Sequence, residues 1–124
     1  MKKIELGRRG ETLAARYMES KGYVICAKNY RAGHLELDLV CENDAVVVFV
    51  EVKTRTETGV PSRYGRPARA VDERKKQHLR DAANAYLREF PSNKRKRVDV
   101  IEIYLNSEGD VTSKGIHHIE NALI

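Results

Sequence analysis

Asp38, Glu51 and Lys53 are charges set into strands that otherwise read as core. Glu51 and Lys53 end the run AVVVFVEVK, residues 45–53, the most apolar stretch of the chain, and Asp38 sits in LELDLV, residues 35–40. Ionisable groups at such positions are costly to desolvate unless they are paired, bind an ion or sit at an opening. Two acids and a lysine on one face are a donor set for Mg²⁺ or Mn²⁺. These hard cations keep several waters and bind through one or two carboxylates plus substrate phosphate. The lysine of such a site can hold a phosphate or orient an attacking water. The alternative is an ion pair between one acid and the lysine at a sheet end.

The two strands must bring these groups together. Residues two apart on a strand share a face, so Glu51 and Lys53 point the same way as Val47 and Phe49. In the other strand Leu35, Leu37 and Leu39 are expected on one face, with Glu36 and Asp38 on the other. Asp38 joins the face of Glu51 only if the hairpin loop has an even number of residues. A two-residue loop at Asn43-Asp44 sets Asp38 opposite Phe49, with Glu51 as its diagonal neighbour, roughly 7–8 Å away between Cβ atoms.

The remaining elements follow from periodicity. Leu6, Leu13, Ala14, Tyr17 and Met18 give an apolar helical face from Gly7 to about Ser20, which Lys21-Gly22 ends. Residues 23–27 read as a strand. A second helix spans Val71 to Phe90, with Leu79, Ala82, Ala83, Tyr86 and Leu87 on its apolar side. The basic run Lys94 to Arg97 is a turn into the strand VDVIEIYL, residues 98–105, and Asp99 most simply pairs with a neighbouring basic group. A short final strand falls at about 116–119. Residues 54–68 contain Gly59, Pro61, Gly65 and Pro67 without any period, and a mobile loop is expected there. The order α-β-β-β-α-β predicts a single α/β domain over 1–124, with a mixed β-sheet flanked by helices.

The chain has 124 residues with 23 Lys+Arg against 18 Asp+Glu, a net charge of +5 that suits a polyanionic partner as well as a merely soluble surface. Cys26 and Cys41 lie in apolar stretches without metal-ligand spacing, and read as buried free thiols of a reducing compartment. No segment is apolar enough for a signal peptide or a membrane span, so a cytoplasmic protein is expected. The four histidines are scattered, which argues against a zinc site, and His117 and His118 point to opposite faces of a strand.

Acid, then acid-x-Lys, across a hairpin resembles the PD-(D/E)XK nuclease-like superfamily, with Asp38 as the first acid and Glu51-Val52-Lys53 as the second element. Most of the chain is similar to one member family, the uncharacterised YraN-like bacterial proteins. The similarity runs through Gly10-Glu11-Thr12-Leu13-Ala14-Ala15-Arg16-Tyr17, Gly22-Tyr23, Asn29-Tyr30-Arg31 and Glu36-Leu37-Asp38-Leu39. It continues through Phe49-Val50-Glu51-Val52-Lys53-Thr54-Arg55, Val71-Asp72-Glu73-Arg74-Lys75, Arg97-Val98-Asp99-Val100 and His118-Ile119-Glu120-Asn121-Ala122. Leu35 stands where that family usually has Gly, and Val98 where Phe is usual. The resemblance implies a restriction-endonuclease-like core and a metal-dependent nuclease that hydrolyses phosphodiester bonds. A module that keeps the fold and only binds nucleic acid is the alternative. It implies Mg²⁺ or Mn²⁺ held by Asp38, Glu51 and the Val52 carbonyl, with Lys53 beside them. Glu11 is implied as a further acid of the catalytic set, and it shares a helical side with Ala14, Ala15 and Met18. Nucleic acid, DNA above all, is the expected partner, with Arg55, Arg63, Tyr64, Arg66, Arg69 and Lys75 as contacts. A homodimer is left open, because some related nucleases are dimers.

Overall fold

Two helices cover opposite faces of one sheet, each through a buried stripe that mixes small residues with a few large apolar ones. The structure, a computed structural model, describes residues 1–56 and 72–123. Helix α1, Lys3–Ser20, buries Leu6, Gly10, Ala14, Ala15 and Met18, a stripe at helical spacing that lets its backbone approach the strands. It begins at Lys3 rather than Gly7, because Leu6 extends the buried stripe by a turn. Helix α2, Glu73–Glu89, buries Leu79, Ala82, Ala83 and Tyr86, and the Asp72 carboxylate caps it by accepting from the Lys75 N–H at 2.8 Å.

Between them lie β1 (Val24–Ala32), β2 (Leu35–Glu42), β3 (Val46–Thr56), β4 (Arg95–Leu105) and β5 (Val111–Ile119), in spatial order β1-β2-β3-β4-β5. Neighbours are antiparallel except β3 and β4, which run parallel and are joined through α2. The fold is therefore α/β with a mixed sheet flanked by helices, in the order α-β-β-β-α-β-β, an arrangement consistent with a nuclease-like core. Along β3 the alternation sorts the core: Val46, Val48 and Val50 pack with α1, and Val47 and Phe49 with α2.

Several expected boundaries move. β1 continues to Ala32, β4 begins at Arg95 inside the basic run, and β5 begins at Val111, each drawn out by pairing with a neighbouring strand. Residues Thr54 to Thr56 belong to β3 rather than to a loop, because β4 pairs with them as far as Thr56 and Leu105. Leu37 packs on the α2 side and Leu39 on the α1 side, so the three leucines do not share a face. Cys41 is buried as expected, and burial pushes its thiol up to about 12, whereas Cys26 is exposed on the edge strand. His117 and His118 point to opposite faces as the strand requires: His117 meets the Tyr104 ring and His118 the Tyr17 hydroxyl. Among the described residues no helix is long and apolar enough to cross a membrane.

Candidate active site

The hairpin loop is Asp44-Ala45, one residue later than expected, with the Asn43 side chain accepting from the N–H groups of Ala45 and Val46. The register becomes Glu42 with Val47 and Leu39 with Val50. One more step sets Asp38 against Glu51, face to face rather than diagonal. There the pairing stops. Below that point β2 pairs only with β1, as far as Leu35 and Ala32, and β3 pairs only with β4. The sheet forks at the two acids.

The fork makes the chemistry. A strand residue directs its N–H and C=O to the same side, so Val52 turns both toward the strand that has left. Its N–H is taken by Asp38 Oδ2 at 2.7 Å, in place of the ladder. Its carbonyl faces the same gap. Asp38 and Glu51 are each about nine-tenths buried. Burial, then the charge of Glu51, and then those of Glu11 and Glu36 raise the Asp38 carboxyl to about 7, against the opposing Val52 hydrogen bond. Glu11, on α1, is likewise pushed up by burial and by the charges of Glu36 and Glu51, partly offset by a hydrogen bond from the Asn29 side chain. Four acids therefore converge electrostatically on one opening, the condition that a divalent cation relieves.

Two ammonium groups meet the same oxygen of Glu51: Lys75 Nζ lies 3.2 Å and Lys53 Nζ 3.7 Å from Oε1. Lys75 reaches the site from the first turn of α2, which explains a lysine on the line of Leu79. The pocket, about 250 Å³, is walled by Leu35, Glu36, Asp38, Glu51, Lys75 and Leu79, with His34 and His78 at its edge. The histidines were not foreseen, because neither strand alternation nor helix period marks a turn residue and an exposed helix residue as neighbours. Arg55 follows Lys53 on the same face of β3. Arg63, Tyr64, Arg66 and Arg69 lie outside the described residues.

Gly10 fixes how closely α1 meets this fork. A Cβ on Gly10 would run into Thr54 Oγ1 and lie 3.1 Å from Thr54 Cβ and 3.3 Å from Cγ2. Gly10→Ala is expected to lower stability by about 1–3 kcal/mol, the usual cost of overpacking. Thr54→Ala in the same chain should recover much of that loss, as thermal unfolding of the two variants would show.

Asp38, Glu51 and the Val52 carbonyl suit a hard divalent cation by donor type, one carboxylate oxygen on each acid being clear of the lysines. A second acidic cluster has ligand spacing: Asp99, His118 and Glu120 hold their atoms within 4.8 Å of one another. It faces α1 and already contains a cation, since Arg97 is bidentate to Asp99 at 2.8 Å and lies 3.6 Å from Glu120. Asp99 thus pairs with a neighbouring basic group, as expected.

Comparison with known proteins extends the picture. The model of the "Uncharacterised protein family UPF0102" matches residues 10–103. A UPF0102 protein of Syntrophomonas wolfei is 46% identical over 119 residues, covering 95% of this chain and 96% of the relative. One from Caldanaerobacter subterraneus is 40% identical over 128 residues, covering 98% and 99%. One from Porphyromonas gingivalis is 39% identical over 116 residues, covering 94% and 82%. The match runs from the middle of α1 through the fork and most of β4, so the chain belongs to the uncharacterised protein family UPF0102, the YraN-like family of bacteria.

Proposed function

We propose that the protein is a metal-dependent nuclease that hydrolyses phosphodiester bonds of nucleic acid, DNA being the favoured substrate. The observation that carries this reading is the pair of buried carboxylates at the fork, with two more acids and two lysines in reach. Asp38, Glu51 and the Val52 carbonyl would hold Mg²⁺ or Mn²⁺. A bound cation of this kind supplies an acidified water and neutralises charge developing on phosphorus. Asp38 keeps its place through the Val52 N–H, so one oxygen is oriented by the backbone and the other is left to the ligand. Lys53 is tethered at one end by β3 and at the other only by a 3.7 Å contact, so its ammonium can turn to a phosphate or to the attacking water. Glu11 adds negative potential from α1 and raises the affinity of the opening for a cation.

Lys75 favours a second reading. Its ion pair with Glu51 supplies positive charge where a metal would act, as in a module that binds nucleic acid without cutting it. The two readings part in one experiment. The nuclease requires Mn²⁺-dependent cleavage of single-stranded, duplex or branched DNA or RNA. Lys53→Ala should abolish that cleavage, by on the order of 10²–10³-fold, while Mn²⁺ binding persists. Cleavage that survives Lys53→Ala would count against Lys53 as a catalytic group. Nucleic-acid binding with no cleavage of any of these substrates would favour the module.

A further inference from the structure

Glu102 is 1% exposed on β4, and its Oε1 has no hydrogen bond among the described residues. Its Oε2 takes Arg55 Nε at a long 3.4 Å. An apolar residue would fill that place at less cost in stability. A buried carboxylate so poorly paired persists where it serves something other than stability.

Its neighbours suggest what. The parallel register sets Lys53 beside Glu102 and Arg55 beside Tyr104, and on the other side β5 sets His117 beside Glu102. All lie on the sheet face that carries Glu51. Tyr104 and His117 meet edge to face at 5.6 Å, and Lys114 Nζ lies 5.4 Å over the Tyr104 ring. Lys114 and His117 are exposed, while Arg55 and Tyr104 are half-buried. A row of cationic and aromatic side chains therefore runs from the pocket across β3, β4 and β5, and its one acid is buried. Such a row suits a nucleic-acid backbone.

We propose that the nucleic acid leaves the pocket along this row, on Arg55, Tyr104, Lys114 and His117, and that Glu102 is the positioning residue that aims Arg55 at a phosphate. Held through Nε, Arg55 keeps both Nη groups without a protein partner among the described residues, the fork that meets a phosphate bidentately. The inference rests on the nucleic-acid reading above but needs no cleavage.

Fluorescence anisotropy with a fluorescein-labelled DNA duplex, in chelator, tests it. Lys114→Glu should weaken binding by about tenfold and lower the salt slope by about one contact. Lys28→Glu, the same charge change on the exposed edge of β1, should have a much smaller effect. Glu102→Met should weaken binding although it removes a negative charge, with its thermal midpoint unchanged or raised. Equal effects of the two lysine changes overturn the path. A Glu102→Met protein that binds as tightly as wild type, or more tightly, overturns the role of Glu102, since bare electrostatics demands that result. Polyglutamate competing as well as unlabelled DNA would make the row a site for acidic protein instead. Failure of the wild type to bind DNA at all overturns both this path and the nucleic-acid reading.

Discussion

Asp38→Asn is expected to stabilise the metal-free protein above pH 7 and to remove its Mn²⁺ binding. The two effects share a cause. Burial and the neighbouring charges of Glu51, Glu11 and Glu36 raise this carboxyl from 3.8 to about 7. The unfolded chain releases its proton near 3.8, while the folded chain holds it to about 7, so folding with the ionised group costs free energy. That cost is full above the folded value, shrinks as pH falls, and vanishes below the unfolded one. At roughly 1.4 kcal/mol for each pH unit between them, it is on the order of 4 kcal/mol. Asparagine removes the charge and keeps an oxygen for the Val52 N–H. Denaturant unfolding in chelator should therefore show the variant more stable above pH 7, with the gap closing toward pH 4. A variant less stable throughout would mean that Asp38 is an ordinary structural carboxylate. Calorimetric titration supplies the other half. Loss of an outer partner alone costs 10–100-fold in metal affinity, so loss of a ligand should cost at least about 100-fold. Equal Mn²⁺ binding by both proteins would move the metal away from the fork.

What the sequence revealed of this site, and what it hid, follows from the range of the signals. The acids and the lysine were legible because charge on an apolar strand is a local anomaly. Glu102, in VDVIEIYL, carries the same anomaly and could have been found by the same test. The loop of the hairpin was legible only in parity. Asn43 looked like a loop residue by composition, but its side chain accepts the N–H groups of Ala45 and Val46 and so shifts the loop to Asp44-Ala45. That single step turns a diagonal pair of acids into an opposed one. The ion pair of Lys75 with Glu51 joins residues 24 apart in the chain, and no periodicity reports such a contact. Leu37 lies on the α2 side for a similar reason, since the strand bearing it leaves β3 at the fork and follows β1 alone.

Asp99→Ala is expected to cost about 3–5 kcal/mol, the loss usual when one partner of a buried ion pair is removed. The carboxylate is fully buried and accepts from Arg97 Nε and Nη2 at 2.8 Å each, from His118 at 2.7 Å and from the Asn121 N–H at 3.0 Å. A carboxylate only accepts, so His118 Nε2 donates in that bond, and Nδ1 lies 3.1 Å from the Tyr17 hydroxyl. The network ties α1, β4, β5 and the turn after β5 to one another. Burial works to raise the Asp99 carboxyl, but the hydrogen bonds from His118, Arg97 and Asn121 outweigh it and hold the group below 3.8. The sign is therefore opposite to that of Asp38: the stabilisation is present above 3.8 and is lost as pH falls through the lower folded value. Urea unfolding of wild type and Asp99→Asn should show a gap that is wide at neutral pH and narrows in acid. The same variant separates the two acidic clusters. Arg97 already neutralises this one, so Asp99→Asn should leave the Mn²⁺ affinity of the folded protein where it was. Metal binding lost in Asp99→Asn and kept in Asp38→Asn would relocate the cation to Asp99, His118 and Glu120, and the fork would then be a place where acids are held by lysines alone.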